Sequence, residues 1–343
     1  MSQIEKKQLQ LGYIPLLDCI ALLWAKERGY FEEMGLDVTL VKEASWASLR
    51  DRLAFGILDA AHCLSAMLPA AAIGEDQIGI PLKTPLVLSK NRAYISLSQK
   101  LCYELSIQNA DNAQENSAKL VKYLEQEQSI ALAHVFHHSI HHYCLREWLA
   151  LSHLDLAKAI QLKTLPPPYM LDALASASID GFCVGEPWNT QGEIEGYSQI
   201  VASSRDIIPE VADKVLAVTE EWAAHHPNTV IALTAAILKA QQELETLSNL
   251  EPVWQILINF NIVRFQCSKS VHVKSYHALE QIIRHLVVGQ AAPCSEDMLW
   301  LFGQMQKWHD LTIETTALNE LSQRCIDQNS FEKAMQHVQS NTG

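Results

Sequence analysis

The sequence has no uninterrupted apolar run of the ~18 residues that a membrane-crossing helix requires, so a bilayer-spanning chain is not expected. Its first residues, MSQIEKKQLQLGYIPLLDC, carry two lysines but no apolar stretch of ~7–15 residues and no Ala-x-Ala site. The expectation drawn from them is a protein that stays in the cytoplasm. Paired cysteine motifs are missing too. Cys19, Cys63, Cys102, Cys144, Cys183, Cys267, Cys294 and Cys325 are scattered without a Cys-x-x-Cys, which excludes a zinc knuckle or a disulfide framework and leaves reduced, mostly buried thiols. Basic charge is short: 26 Lys and Arg stand against 39 Asp and Glu, a net charge of −13. That excludes an unassisted nucleic-acid or anionic-membrane surface. It leaves an anion site open, because a few local donors outweigh distant, screened charge. No Gly-x-Ser-x-Gly, phosphate-binding loop, Gly-x-Gly-x-x-Gly or His-Glu-x-x-His occurs, so no enzyme, cofactor or metal is expected. Tandem repeats, heptad runs and low-complexity tails are absent as well.

What remains is a globular composition, 48% hydrophobic and 19% charged, in 343 residues, too many for one ordinary core and suited to two α/β lobes. The stretch IDGFCVGEPWN, Ile179 to Asn189, organises the chain. A strand-like run, Phe182 to Val184, ends at Gly185, where the backbone is free to turn. Pro187 then holds Glu186 extended, and Trp188 sets a flat surface beside the carboxylate. GILDAAHCLSAMLPAA repeats the pattern of Asp-Ala or Asp-Gly, short apolar run, then Pro. The plain reading of each is a buried strand ending in a tight turn; the functional one is a strand carrying residues to a cleft edge.

In order, strands are expected at Gln8 to Ile14, Leu36 to Val41 and from Asp59, with helices at Ala21 to Gly29 and Ser48 to Phe55 between them. This is a parallel α/β lobe. Leu86 to Leu97 is rich in strand formers, and Gln108 to Ser117 reads as a polar loop or cap. Ala118 to Glu127 reads as a helix, Ser129 to Phe136 as a strand opening a second lobe, and Ser139 to Leu151 as a helix. Pro166-Pro167-Pro168 is rigid and extended. Strands at Ser198 to Ala202 and Lys214 to Thr219 precede long helices: Pro227 to Leu247, Pro252 to Phe260, Lys274 to Val288, Ser295 to Trp308 and from Leu318 onward. The expected lobes are 8–98 with 197–343, and 99–196.

Three clusters offer binding chemistry. AHVFHHSIHHYCLREW places His134, His137, His138, His141 and His142 around a strand-to-helix turn. Histidines spaced four apart permit a metal, but no accompanying Asp, Glu or Cys makes a named motif. An anion at the helix start, with one histidine donating, fits better, and most of the five are expected to be ordinary surface residues. KEASWASLRDRL starts a helix at Ser45 with Trp46 in its first turn, as core or as an aromatic wall. Lys214 at a strand mouth reads either as a snorkelling surface residue or as the charge partner of an anion.

These segments resemble the nitrate- and bicarbonate-binding solute receptors of ABC transport systems, which have the periplasmic-binding-protein type II fold. GYIPLLDCIALLWAKERGYFEEMGLDVTL, KEASWASLRD with GILDAAH, PPPYM and IDGFCVGEPWN carry the likeness from about Leu11 to about Trp308. The resemblance implies two lobes with mixed central sheets and a small planar anion in the cleft between them. It implies Trp46, His141 and Lys214 as ligands. Ser139 belongs to the same turn, and Asn91 and Arg92 stand where the family has Asn-Gly-Gln. Asp180, Gly185, Glu186, Pro187 and Trp188 would line the second lobe structurally. With no leader, the implied branch is the cytoplasmic nitrate/nitrite sensor that holds a two-component-type RNA-binding antiterminator and releases it when the anion binds. The alternatives are a solute receptor of an ABC transporter and, from the enzyme class, a thiamin-pyrimidine synthase, whose clustered cysteine run is missing here.

Overall fold

The computed structural model describes residues 3–126, 128–286 and 291–340. Strands β1 (Gln8–Tyr13), β2 (Asp37–Lys42), β3 (Ala60–Leu64), β4 (Leu82–Lys90) and β5 (Ala93–Ser98) occupy the first hundred residues. They are followed by β6 (Leu132–His134), β7 (Leu162–Thr164), β8 (Gly181–Gly185), β9 (Ser198–Ser203) and β10 (Ala212–Thr219). The chain divides into two compact units. The first comprises Met1–Lys90, Val211–Ile262 and Glu280–Gly343; the second comprises Asn91–Glu210 and Val263–Leu279. Each holds one mixed five-stranded sheet with flanking helices, and together they are the periplasmic-binding-protein type II fold.

In the first unit the strand order is β2-β1-β3-β10-β4. β1 runs parallel to β2 and β3, whereas β10 is antiparallel to both β3 and β4. The second repeats the plan as β7-β6-β8-β5-β9, with β6 parallel to β7 and β8, and β5 antiparallel to β8 and β9. The expected lobe boundaries therefore shift. They had placed β5 and β9 in the first lobe, but both hydrogen-bond into the second sheet, and residues 263–279 fall with that unit too.

Local sequence explains the layers. β1 starts with exposed Gln8 and Gln10 alternating with buried Leu9 and Leu11, the period of a strand with one covered face. β3 and β8 lie inside their sheets and are buried throughout, as their apolar runs require. The helix Pro227–Thr246 has Pro at its first position and buries Val230, Leu233, Ile237, Ala240 and Leu244 along one stripe, packing on the helices Ile20–Glu27 and Gln328–Ser340. The polar run after Gln108 conceals a helix start: Asn112 and Glu115 form a reciprocal capping box, so the helix spans Ala113–Leu124 and begins earlier than expected. The expected helix ends at Glu127 and Val288 lie outside the described residues. No helix among the described residues is long and apolar enough to cross a membrane.

The repeated Asp pattern has a shared physical role. Asp59 donates its backbone N–H to Gln10 O at 2.9 Å while its carboxylate accepts from Gln10 N at 2.9 Å. Asp180 does the same with Ala131, at 2.7 and 2.8 Å. Each aspartate thus fastens the start of an inner strand to its parallel neighbour, at the end opposite the turns that carry Ser65 and Glu186. Gly181, next to that brace, has no room for a side chain: a Cβ there would stand 2.7 Å from Ser96 O and 2.6 Å from a Leu97 methyl. At Gly12 the obstacle is only the Leu58 side chain. Gly181→Ala is expected to cost about 1–3 kcal/mol through forced backbone movement, and Gly12→Ala less; urea midpoints of the two variants check the order.

Candidate functional site

The first unit gathers its polar residues where parallel strands end, the edge at which open α/β sheets receive ligands. Asp18 lies in the turn after β1, Trp46 opens the helix Trp46–Ala54 after β2, and Ser65 follows β3. Ser45 caps the Trp46 helix by accepting from Ser48 N at 3.1 Å, which fixes the tryptophan in the first turn. β10 brings Asp213 and Lys214 into the sheet between β3 and β4; a register shift around Lys214 lets neighbouring side chains converge.

Lys214 is fully buried, and its ammonium lies 2.7 Å from Asp213 and 3.1 Å from Asp18. His62 Nε2 is 3.0 Å from Asp18 Oδ1, and Ser89 donates to Asp18 Oδ2 at 3.3 Å. Trp46 closes one side: its ring is 5.7 Å from the Lys214 ammonium and 5.8 Å from the His62 ring. Trp46 Nε1 and His62 Nδ1 are buried with no hydrogen-bond partner among the described residues. Burial opposes the charge on Asp18, but Lys214 and the His62 hydrogen bond outweigh it and hold that carboxyl well below its usual range. Asp213 moves the other way. Burial and the Asp18 charge push it up to about 6 against the pull of Lys214. Burial also lowers His62, with Asp18 opposing.

Of the residues in this cluster, sequence reading singled out Trp46 and Lys214 but not Asp18, His62, Ser89 or Asp213. Lys214 carries no spare charge, because two carboxylates already take it. A polar residue inside the apolar run AAHCL, and an Asp-Lys pair opening VLAVT, were the available signals. Neither identifies its partner across the sheet.

In the second unit β6 ends at His134, and Ser139 caps the helix Ile140–Ala150, accepting from His142 N at 3.1 Å and donating to Phe136 O at 2.6 Å. His141 sits fully buried in the first helical turn. Four of the five histidines are buried, where most were expected on the surface; only His137 is exposed. They fold inward because the turn is short and the helix start packs on β6. His134 Nδ1 lies 2.8 Å from Phe136 O, and its Nε2 lies 3.3 Å from His142 Nδ1. Burial pushes His134 down to about 4.

Asn91 is buried at the junction before β5, and Arg92 donates to Asn91 O at 3.0 Å and lies 4.0 Å from Glu210. Asp180 is at the start of β8, whereas Gly185 closes that strand and Glu186, Pro187 and Trp188 follow it. Glu186 accepts from Thr190 N at 3.1 Å and Thr190 Oγ1 at 3.0 Å, and the Arg264 guanidinium stacks 5.1 Å over the Trp188 ring. Burial pushes Glu186 up to about 7.

The chain belongs to the NMT1-like family, whose model matches residues 2–258. The chain is 32% identical over 334 residues to the bicarbonate transport ATP-binding protein CmpC of Synechocystis sp., covering 94% of this chain and 49% of the relative. To the nitrate/nitrite binding protein NrtA of Nostoc sp. it is 30% identical over 261 residues, 74% of this chain and 58% of that protein. The crystal structure of the periplasmic nitrate-binding protein NrtA from Synechocystis PCC 6803 superposes with a TM-score of 0.84 at 22% identity, over 98% of this chain and 90% of that one, a likeness of fold. The chain spans about half the length of the CmpC relative it matches.

These findings correct the expected branch. The relatives are named as nitrate- and bicarbonate-binding and transport proteins. The cytoplasmic sensor, its location and its RNA-binding antiterminator partner do not stand, since 94% of the chain aligns with a transport protein and the matching fold is that of a periplasmic receptor. The expectation had rested on the first few residues, which say nothing of compartment in a chain that matches only part of its relatives.

Two outcomes follow from the charges. Lys214→Met leaves two buried carboxylates without their cation and is expected to cost about 3–5 kcal/mol in urea unfolding at pH 8. Glu186→Gln has a pH-dependent effect. A carboxyl raised to about 7 when folded binds more protons than the unfolded chain between pH 4.5 and 7, so wild-type stability falls as pH rises through that window. The glutamine variant is therefore expected to match wild type near pH 4.5 and to exceed it by on the order of 2–3 kcal/mol at pH 8 in paired urea titrations.

Proposed function

We propose that this chain is the solute-binding component of an ABC transport system and takes a small planar oxyanion, nitrate or bicarbonate. The observation that carries the reading is the buried cluster at the strand ends of the first unit, in which Trp46 stands as a flat wall beside Lys214 and His62. The relatives named for nitrate and bicarbonate support that ligand class. A planar oxyanion lies against an indole face and accepts in-plane hydrogen bonds, and Trp46 Nε1 and the Lys214 ammonium are donors of the required kind. In the second unit the helix start at Ser139, with His141 in its first turn, offers backbone donors of the same character. Asn91 and Arg92 extend the set of candidate contacts there.

A nucleic-acid surface has no place in this reading, since the chain is acidic overall. Calorimetry of the purified protein with nitrate, nitrite, bicarbonate and sulfate at fixed ionic strength tests it. One or more of the planar anions is expected to bind and tetrahedral sulfate is not; silence from all three planar anions refutes the reading. Trp46→Ala is expected to weaken binding about ten- to hundredfold, the loss of one wall and one donor worth about 1.4–2.8 kcal/mol.

A further inference from the structure

We infer that His62 makes the first unit selective for a planar oxyanion that carries its own proton, so that bicarbonate is preferred to nitrate. The inference rests on the proposed oxyanion reading and names which member of that ligand class the site takes. His62 Nε2 lies 3.0 Å from Asp18 Oδ1, and both residues are buried. Asp18 also receives the Lys214 ammonium at 3.1 Å and the Ser89 hydroxyl at 3.3 Å, contacts that belong to an ionised carboxylate. An ionised carboxylate only accepts, so Nε2 holds the imidazole proton. Burial works against a second proton on the ring, which leaves Nδ1 as a bare lone pair.

That lone pair is buried with no hydrogen-bond partner among the described residues, and Trp46 Nε1, a donor, is in the same condition. The Trp46 ring stands 5.8 Å from the imidazole and 5.7 Å from the Lys214 ammonium, so the open donor, the open acceptor and the cation share one cluster. Apart from the thiol of Cys63, His62 is the only polar side chain of β3, a strand buried along its whole length. Holding Asp18 uses only the Nε2 side of the ring. An acceptor left unpaired in the interior is costly, and a ligand that donates to it recovers that cost.

Nitrate and nitrite have oxygens that only accept. Seated on Trp46 Nε1 and the Lys214 ammonium, either one leaves His62 Nδ1 unpaired and adds oxygen lone pairs beside it. Bicarbonate has the same planar outline as nitrate, but one of its oxygens is a hydroxyl. Its unprotonated oxygens accept from Trp46 Nε1 and Lys214, and its hydroxyl donates to His62 Nδ1. Each open group is then paired, and no side chain changes its protonation. A site built to hydrogen-bond a hydroxyl rejects the analogue without one, because its own polar atom stays buried and unsatisfied. Asp18 is a positioning residue in this scheme: its carboxylate fixes the tautomer that leaves Nδ1 open.

Calorimetry of the full chain at pH 8 and fixed ionic strength compares bicarbonate, nitrate and nitrite. Bicarbonate is expected to bind about ten- to hundredfold tighter than nitrate. His62→Gln keeps a side-chain N–H for Asp18 and removes the ring acceptor. It is expected to narrow the ratio of the two dissociation constants by about tenfold or more. Equal losses for both anions keep that ratio, make His62 a structural residue and overturn the inference. A wild-type protein that prefers nitrate, or holds the two alike, overturns it as well and leaves the receptor reading standing. Absence of binding by all three anions refutes the receptor reading and this inference with it. If His62→Gln does not fold, nitrogen NMR of the wild-type histidine rings decides. The His62 Nδ1 resonance is expected to start as that of a bare imidazole nitrogen, to move towards a hydrogen-bonded one with bicarbonate, and to stay in place with nitrate. A resonance that ignores bicarbonate, or that belongs to an N–H before any anion is added, overturns the inference.

Discussion

The ammonium of Lys214, held between Asp18 and Asp213, is the constraint on which the first unit depends. A buried lysine is tolerable only with counter-charges in contact, and two buried carboxylates are tolerable only with a cation. The three residues come from distant parts of the chain, the turn after β1 and the strand β10, so the ion cluster is satisfied only after β10 has inserted between β3 and β4. The insertion in turn requires the chain to complete its passage through the second unit, because β10 begins two residues after Glu210. Ser65 records the same closure: its N–H and hydroxyl both bond to the β10 backbone, at Asp213 O and Ala212 O.

The two sheets share more than strand order. Asp59 and Asp180 brace equivalent inner strands against equivalent neighbours, each by one donated and one accepted bond. A parallel pair needs such help at its start, where the slanted ladder leaves backbone groups unmatched. The opposite ends then diverge. β3 runs into Ser65 and a helix that begins at Met67, while β8 runs into Glu186-Pro187 and a helix that begins at Trp188. The aspartate braces sit at one end of these strands and the turns carrying Ser65 and Glu186 at the other.

Much of this was legible in the sequence because it is written in local patterns. The alternation of strand, helix and strand gave the parallel lobe, Ser45 and Ser139 marked real helix caps, and the repeated Asp-Ala and Asp-Gly segments proved to be equivalent strands. What failed were questions that no local pattern answers. β5 and β9 carry nothing that says which sheet they join, and their assignment depends on hydrogen bonds to β8 and to each other. The five histidines look like a solvated turn when read along the chain; four are buried because a turn this short folds its side chains back onto β6. Lys214 looks like a spare cation until Asp18, nearly two hundred residues away, is placed beside it.

The same contrast separates the two ends where ligand chemistry collects. At the strand ends of the first unit the Lys214 ammonium lies between two buried carboxylates, 3.1 Å from Asp18 and 2.7 Å from Asp213. In the second unit burial raises Glu186 to about 7 and lowers His134 to about 4. On the proposed reading a small oxyanion is recognised by oriented donors, such as Trp46 Nε1 and the Lys214 ammonium beside it. Such donors discriminate by geometry and by proton content more than by charge alone. An acidic protein with net charge −13 can hold an anion on those terms, because what decides the outcome is the few contacts within the buried cluster.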